Sequence, residues 1–366
     1  MLNKDLPVAL YHQIRCALAD EIDNGQWQPG QQLPSESQLA LRFGVSKITV
    51  RQAIQKLADL GYVRRERGRG TFVSKLNQVL AIDLGGTKTS MALVDGKGRI
   101  SNKQMAPATA SFKESMEQIA ARLNELRPEG TAAGVIVPGI YDASSGKAWA
   151  PNLWGRDFHP LRQALAERWP GPLVVGSNRT GSVLAEQWLG VARGLSDVVF
   201  VVVGTGIGVG IVAGGRVLEG GHGIAGAAGW MVLGGPWKPE YLERGGWESE
   251  AAGPAVARRA GMENAEAVVA AARGGDRKAL EVLDQTADWL ALGIANLISL
   301  LDPQMVVLGG ELMQASDLML DRVRRQALAW TQPVAAKRVR IEKTALGEDA
   351  GLLGAARLAW GLGAGG

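Results

Sequence analysis

Cysteine is almost missing from this chain. Cys16 is the only one in 366 residues, so no disulfide can form within the protein. Histidine is scarce as well: His12, His159 and His222 lie too far apart in sequence to read as one zinc site. No apolar run approaches the roughly 20 residues that a membrane-spanning helix needs. The polar start, MLNKDLPVAL, lacks the apolar core and cleavage site of a signal peptide. A cytoplasmic protein with no membrane partner is expected. Net charge is also absent from most of the chain. Of its 40 Lys/Arg and 36 Asp/Glu, 11 and 7 fall within residues 1–75, so the remainder carries 29 of each. The whole excess of +4 therefore sits in the first fifth, the footprint of a module for a polyanion beside a neutral partner. With 46% hydrophobic and 21% charged residues, the chain has the material for two or three folded, soluble domains.

What the first 75 residues do contain is a complete set of helix signals. Leu10, Ile14, Leu18 and Ile22 recur at helical spacing, with Pro7 placed before them and Gly25 after. Ser35 stands as the cap of a second helix, with Gln38 as its capping-box partner. FGVS follows as a tight turn in which Gly44 takes a positive φ and Val45 plugs the core. Ser46 caps a third helix that reaches Leu60 and ends at Gly61, with Ile48, Ala53 and Leu57 expected on its buried side. Lys47, Thr49 and Arg51 crowd its first turns, where a helix entering the major groove needs donors. Two short strands, YVRRE and TFVSK, flank a thin cationic tip in which Arg67, Gly68, Arg69 and Gly70 precede Thr71, a shape suited to the adjacent minor groove.

LPSESQLALRFGVSKITVRQAIQKLADLGYVRRERGRGTFV resembles the DNA-binding domain of the GntR class of bacterial regulators, over about residues 6–74. The resemblance implies a winged helix-turn-helix that binds two-fold operators in double-stranded DNA. It places DNA contacts on Ser46, Lys47, Thr49, Arg51 and the wing at Gly68–Thr71. Ser37 departs from the pattern, since some members carry an arginine there.

The boundary between this module (residues 1–75) and the rest (residues 76–366) has almost no linker, because only about four residues separate the two patterns. Beyond it lie three glycine turns. VLAIDLGGTKTSMALVD reads as strand, turn and strand, with Asp83, Gly85, Gly86 and Thr87 offering a magnesium-holding carboxylate, backbone N–H groups and a hydroxyl to a phosphate. VVFVVVGTGIGVGIVAGG repeats the form with Gly204, Thr205 and Gly206. The residues after these glycines look like strand, which excludes a Rossmann motif. In SLLDPQMVVLGGEL a helix ends at Asp302-Pro303, and a buried strand leads to Gly309-Gly310.

Three glycine turns in this order are similar to those of the ROK family (repressors, open reading frames, kinases), and the match spans about residues 77–362. It implies an α/β protein in which two lobes of the actin-like, ribonuclease H-like ATPase fold enclose a sugar and a nucleotide. VPGIYDASSGKAWAPNLWG matches the sugar-side segment, with Asn152 in its PNL. The departures bear on function. Where the family's kinases carry Asn-Asp, the aspartate being the general base, this chain has Asn178-Arg179. The family's sugar-binding glutamate and histidine are replaced by Ala227 and Trp230. Its zinc cysteines are missing from GGPWKPEYLERGGWESE, although the glutamate after them is kept as Glu248. A guanidinium cannot accept the proton of a sugar hydroxyl.

The expectation is thus a transcriptional repressor, homodimeric or tetrameric, that senses a sugar or sugar phosphate through Asn152, Asn178, Arg179, Trp230 and Glu248. An active sugar kinase that also binds DNA is the alternative, and a constitutive DNA-binding protein that uses the large domain only to dimerise is a third reading. No metal is expected, and nucleotide binding by the glycine turns stays open, since the hairpins have a structural reading too. Arg179 either clamps a phosphate or carboxylate, pairs with Glu248, or faces solvent. Trp237 and Trp247 read better as core or as a plug replacing zinc, and Trp230 as a pocket wall. Because the connector is short, inserting about ten Gly/Ser residues there is expected to leave DNA binding intact but to uncouple it from effector. Operator titrations with and without a responding sugar measure this, and an unchanged response contradicts direct coupling.

Overall fold

The computed structural model describes residues 9–23, 25–59, 62–74, 78–126 and 131–361. Pro7, Gly61 and the connector at 75–77 lie outside them. The N-terminal elements are α1 (Leu10–Asp23), α2 (Glu36–Phe43), α3 (Lys47–Asp59), β1 (Val63–Glu66) and β2 (Gly70–Val73). The local signals act as expected. The Ser35 hydroxyl accepts from the Gln38 N–H at 3.3 Å while Gln38 Oε1 accepts from the Ser35 N–H at 2.8 Å. Gly44 sits at φ +64 and closes α2, and the Ser46 hydroxyl accepts from the Thr49 N–H at 3.2 Å. Ile14, Leu18, Leu39, Ile54, Leu57, Val63 and Val73 form the core, with Val45 packed at its edge. One expectation is corrected: Ile48 is 69% exposed. The buried stripe of α3 runs through Val50, Ala53, Ile54, Leu57 and Ala58, and that 3.6-residue period leaves Ile48 on the outer face.

The chain forms two compact units. The first comprises Met1–Ile136, Leu161–Gly176 and Ala355–Gly366, and the second comprises Val137–Pro160 and Ser177–Gly354. The winged helix-turn-helix therefore shares a unit with the first sheet, and the Tyr62 hydroxyl donates to the Gly96 carbonyl at 3.3 Å. In that sheet β3 (Gln78–Leu84), β4 (Lys88–Asp95) and β5 (Ile100–Pro107) form an antiparallel meander, and β6 (Ala133–Val137) runs parallel to β3. The strand Leu173–Ser177 follows beyond β6. The C-terminal helix Ala350–Gly361 packs on β6 at Gly134, where a Cβ would overlap the Ala355 carbonyl.

The second unit repeats this topology. Strands Val198–Val203, Ile207–Ala213 and Arg216–Val217 form the meander, Met305–Gly309 runs parallel to the first of them, and Arg340–Lys343 lies beyond. The first two glycine turns therefore occupy the same structural place, the first hairpin turn of each sheet. Asp302, at φ +44, ends the helix Arg277–Leu301 as expected, and Pro303 blocks its continuation. That helix packs on Trp247, which is fully buried, donates from Nε1 to the Trp289 carbonyl at 3.0 Å, and fills the space that a Cβ on Gly293 would claim. Trp247→Ala is expected to cost about 3–5 kcal/mol in denaturant unfolding of the full chain.

Candidate functional site

On the winged helix, Lys47 and Arg51 stand exposed along the start of α3, and Ser46 and Thr49 share a hydroxyl contact at 2.9 Å. Gly68 (φ +73) and Gly70 (φ +121) shape a wing tip on which Arg67 and Arg69 are exposed and Thr71 is half-buried. Two glutamates hold the arginines in register. Glu36 pairs with Arg51 at 2.9 Å and with Arg65 at 3.2 Å; Glu66 pairs with Arg69 at 2.9 Å and also with Arg64. Exposed pairs of this kind are weak, so each of these arginines can turn to a phosphate at little cost. Arg65 and Glu36 were not legible as part of this surface, because their pairing spans 29 residues of chain. Ile48 belongs here too: an exposed branched side chain beside Lys47 is the type that meets thymine methyl groups.

The five residues expected at the effector site all lie in the second unit. Asn152 is exposed in the short helix Pro151–Trp154, Asn178 opens the helix Asn178–Trp188, and Trp230 is half exposed. Arg179 and Glu248 meet neighbouring residues of one strand. The Ile207 N–H donates to Glu248 Oε2 at 2.8 Å. At Gly208 a Cβ would sit 2.8 Å from Cγ and Cδ of Arg179, so the missing side chain makes room for that stem. Burial pushes the Glu248 carboxyl up, against the pull of the Ile207 N–H and of Arg244.

Arg179 is only 5% exposed. Its Nη2 donates to the Gly139 carbonyl at 3.1 Å, and its Nε has no hydrogen-bond partner. Among the described residues no carboxylate pairs with it, and burial alone pulls the guanidinium below its ordinary range. Of the three expectations for this residue, pairing with Glu248 and exposure to solvent are not what the structure has. Gly139, at φ +86, is placed close against the Trp149 carbonyl, in the hairpin that leads on to Asn152.

The glycines of the loops have packing reasons of their own. A Cβ on Gly206 would lie 2.7 Å from Glu248 Oε2, and one on Gly85 would lie 2.6 Å from the Lys88 carbonyl. Cβ atoms on Gly309 and Gly310 would overlap Phe200 and Val203. Gly204 is different, because a Cβ there would meet nothing closer than 3.6 Å. Thr87 and Thr205 are exposed and Asp83 is half-buried, so each hairpin keeps donor types that suit a magnesium nucleotide.

The segment in which the resemblance leads one to expect zinc cysteines is held by other contacts. Glu250 accepts from Lys238, from the Tyr241 hydroxyl at 2.7 Å and from Arg259 Nη2 at 3.2 Å. Burial pushes its carboxyl up, but the bonds from Lys238 and Tyr241 outweigh that and hold it below the usual range. Among the described residues no cluster of three or more His, Cys, Asp or Glu could hold a metal ion, so this donor set does not fit zinc. Trp247 is core, whereas Trp237 is 65% exposed and plugs nothing. Its loop is held by the charged hub at Glu250 rather than by apolar burial.

Residues 79–361 match the ROK family. The chain belongs to that family. Residues 10–73 match the bacterial regulatory proteins of the gntR family. An N-acetylmannosamine kinase of Escherichia fergusonii is 33% identical over 294 residues, which cover 77% of this chain and 98% of the kinase. A glucokinase of Halalkalibacterium halodurans is 28% identical over 308 residues, covering 75% and 92%. Among solved structures, a ROK family glucokinase from Streptomyces griseus in complex with glucose and AMPPNP has a TM-score of 0.68 at 27% identity, over 77% of this chain and 99% of that one. A ROK family transcriptional regulator, homologous to the E. coli MLC protein, shares the fold over 90% of this chain and 92% of its own, with a TM-score of 0.74 at 20% identity. The two sheets are thus the ATPase fold of this family. No helix among the described residues is long and apolar enough to cross a membrane.

Burial carries the Asp83 carboxyl of the ROK domain from 3.8 up to about 6, against the pull of Lys88. A raised carboxyl favours the folded state only while it is protonated, so its contribution is full below pH 3.8 and is lost as pH rises to about 6. Wild type is therefore expected to lose stability relative to Asp83→Asn across that window, read as the difference in Tm between pH 3.5 and about 6.5. A constant difference contradicts it.

Proposed function

We propose that this protein is a DNA-binding transcriptional regulator of the repressor kind whose ROK domain takes up a sugar or sugar-phosphate effector without phosphorylating it. It acts in the cytoplasm as a homodimer or tetramer on a two-fold operator, with α3 in the major groove and the wing in the minor groove. Names of the relatives, glucokinase and N-acetylmannosamine kinase, support a sugar as ligand class. The observation that carries the reading is Arg179. The side chain in the place of the kinases' proton acceptor is a buried cation anchored to the Gly139 carbonyl. It has no lone pair to take the hydroxyl proton, and losing a general base costs about 10²–10⁴ in rate.

Most loop glycines agree with this reading, because Gly85 and Gly310 leave no room for a Cβ beside backbone carbonyls, and Gly206 and Gly309 lie close against the Glu248 and Phe200 side chains, whether or not a nucleotide is bound. Retained loops therefore do not argue for retained catalysis.

A coupled assay for ADP release with a panel of neutral sugars tests the reading against the active kinase. The expected turnover is about 10²-fold or more below that of a ROK kinase assayed alongside, and turnover at the kinase's own level refutes the proposal. On the DNA side, Arg51→Ala is expected to weaken binding to a two-fold operator by about tenfold in a fluorescence-anisotropy titration, the value of one good base or phosphate contact. Affinity within twofold of wild type removes α3 from the interface.

A further inference from the structure

Arg179, Glu186 and Glu250 are each less than a tenth exposed. Glu186 accepts from the Val191 N–H at 2.9 Å and from the Thr344 hydroxyl. Glu250 has its cations and its phenol. Neither Arg179 nor Glu186 has a counter-charge among the described residues, but both oxygens of Glu186 are satisfied by donors, whereas one N–H group of Arg179 reaches a backbone carbonyl and the buried Nε reaches nothing. A buried cation without an anion is strongly unfavourable, and removing the charge is usually neutral or stabilising. Arg179 also occupies the first turn of the 11-residue helix Asn178–Trp188, whose positive end adds to the same field. Asn178 and Asn152, the amides expected to hold sugar hydroxyls, are at least partly open to solvent.

We infer that the effector of this regulator is a phosphorylated sugar whose phosphomonoester is received by the Arg179 guanidinium. The inference rests on the sugar-sensing reading above and narrows it. In the kinases this position faces the hydroxyl that becomes phosphorylated. An aspartate there repels a dianionic ester, whereas an arginine attracts it and presents a planar fork of donors to two of its oxygens. Replacing one by the other thus reverses the preference of the site, from the neutral sugar to its phosphate ester. The free Nε is the donor that would complete such a fork, and the bond from Nη2 to Gly139 holds the guanidinium in place for it.

Isothermal titration of the full chain with glucose, N-acetylmannosamine and their 6-phosphates tests this, with inorganic phosphate and AMPPNP as controls. Wild type is expected to bind at least one ester tenfold or more tightly than its parent sugar. Arg179→Met, which keeps the stem and removes the charge, is expected to bind that ester at least tenfold more weakly than wild type does and no more tightly than it binds the parent sugar. Its melting temperature without ligand is expected to match or exceed that of wild type, whereas an arginine kept only to tether Gly139 predicts a lower one. Equal binding of an ester by the two proteins overturns the inference. Parent sugars bound as tightly as every ester overturn it too, yet leave sugar sensing standing. No binding of any sugar or ester removes both. Inorganic phosphate or AMPPNP matching the esters, with the same dependence on Arg179, overturns the assignment to a sugar ester.

Discussion

Glycines at alternate positions, 206 just before the strand Ile207–Ala213 and 208 and 210 within it, let a helix and a carboxylate approach where any Cβ would exclude them. Gly206 leaves room for Glu248, Gly208 for the stem of Arg179, and Gly210 for the carbonyl of the same residue. The strand pairs with Val198–Val203, and that strand pairs in turn with Met305–Gly309. The position of Arg179 is therefore fixed by the sheet rather than by a loop. An identical demand recurs at Gly134 in the first sheet, where the C-terminal helix comes down on β6. Close packing of backbones through glycine is what both halves of the ROK domain share.

Against that rigid background, the treatment of charge separates structure from function. Glu186 and Glu250 are buried within complete sets of donors, and satisfied networks of this kind hold segments of chain in place. The hub at Glu250 orders the stretch where the family resemblance leads one to expect zinc. Arg179 breaks the pattern, since its Nε has no partner and no carboxylate among the described residues pairs with it. On the winged helix the logic is reversed. Each glutamate there pairs with two arginines at the surface, where water already weakens the contact and the cations remain open to phosphate.

Much of the winged helix was legible residue by residue because its signals are local. A capping serine, its partner three residues later and a left-handed glycine act within one turn of chain, and Ser35, Gln38, Gly44 and Ser46 do so. Ile48 was misplaced because three apolar residues on a helix do not define a stripe until its phase is known; the full run from Val50 to Ala58 supplies it. The contacts of Glu36 with Arg51 and Arg65 were illegible, since nothing in the spacing of 36, 51 and 65 brings them together. Trp237 and Trp247 could not be told apart by composition. One is sealed against Gly293, and the other lies on a loop held by Lys238 and Glu250.

By itself the sequence determined which chemistry is available. It set a guanidinium after Asn178 where the family resemblance leads one to expect a carboxylate, it withheld the cysteines that zinc needs, and it concentrated positive charge in the first 75 residues. These are properties of side-chain type, and no fold alters them. Tertiary structure alone decided that Arg179 is buried with no anion beside it among the described residues, that Glu248 turns to the Ile207 N–H, and that Gly85, Gly206, Gly309 and Gly310 are closely packed while Gly204 is not. Such outcomes depend on distances between groups remote in the chain, and solvent exclusion, which sets the cost of an unpaired charge, exists only once the sheets and helices have closed around it.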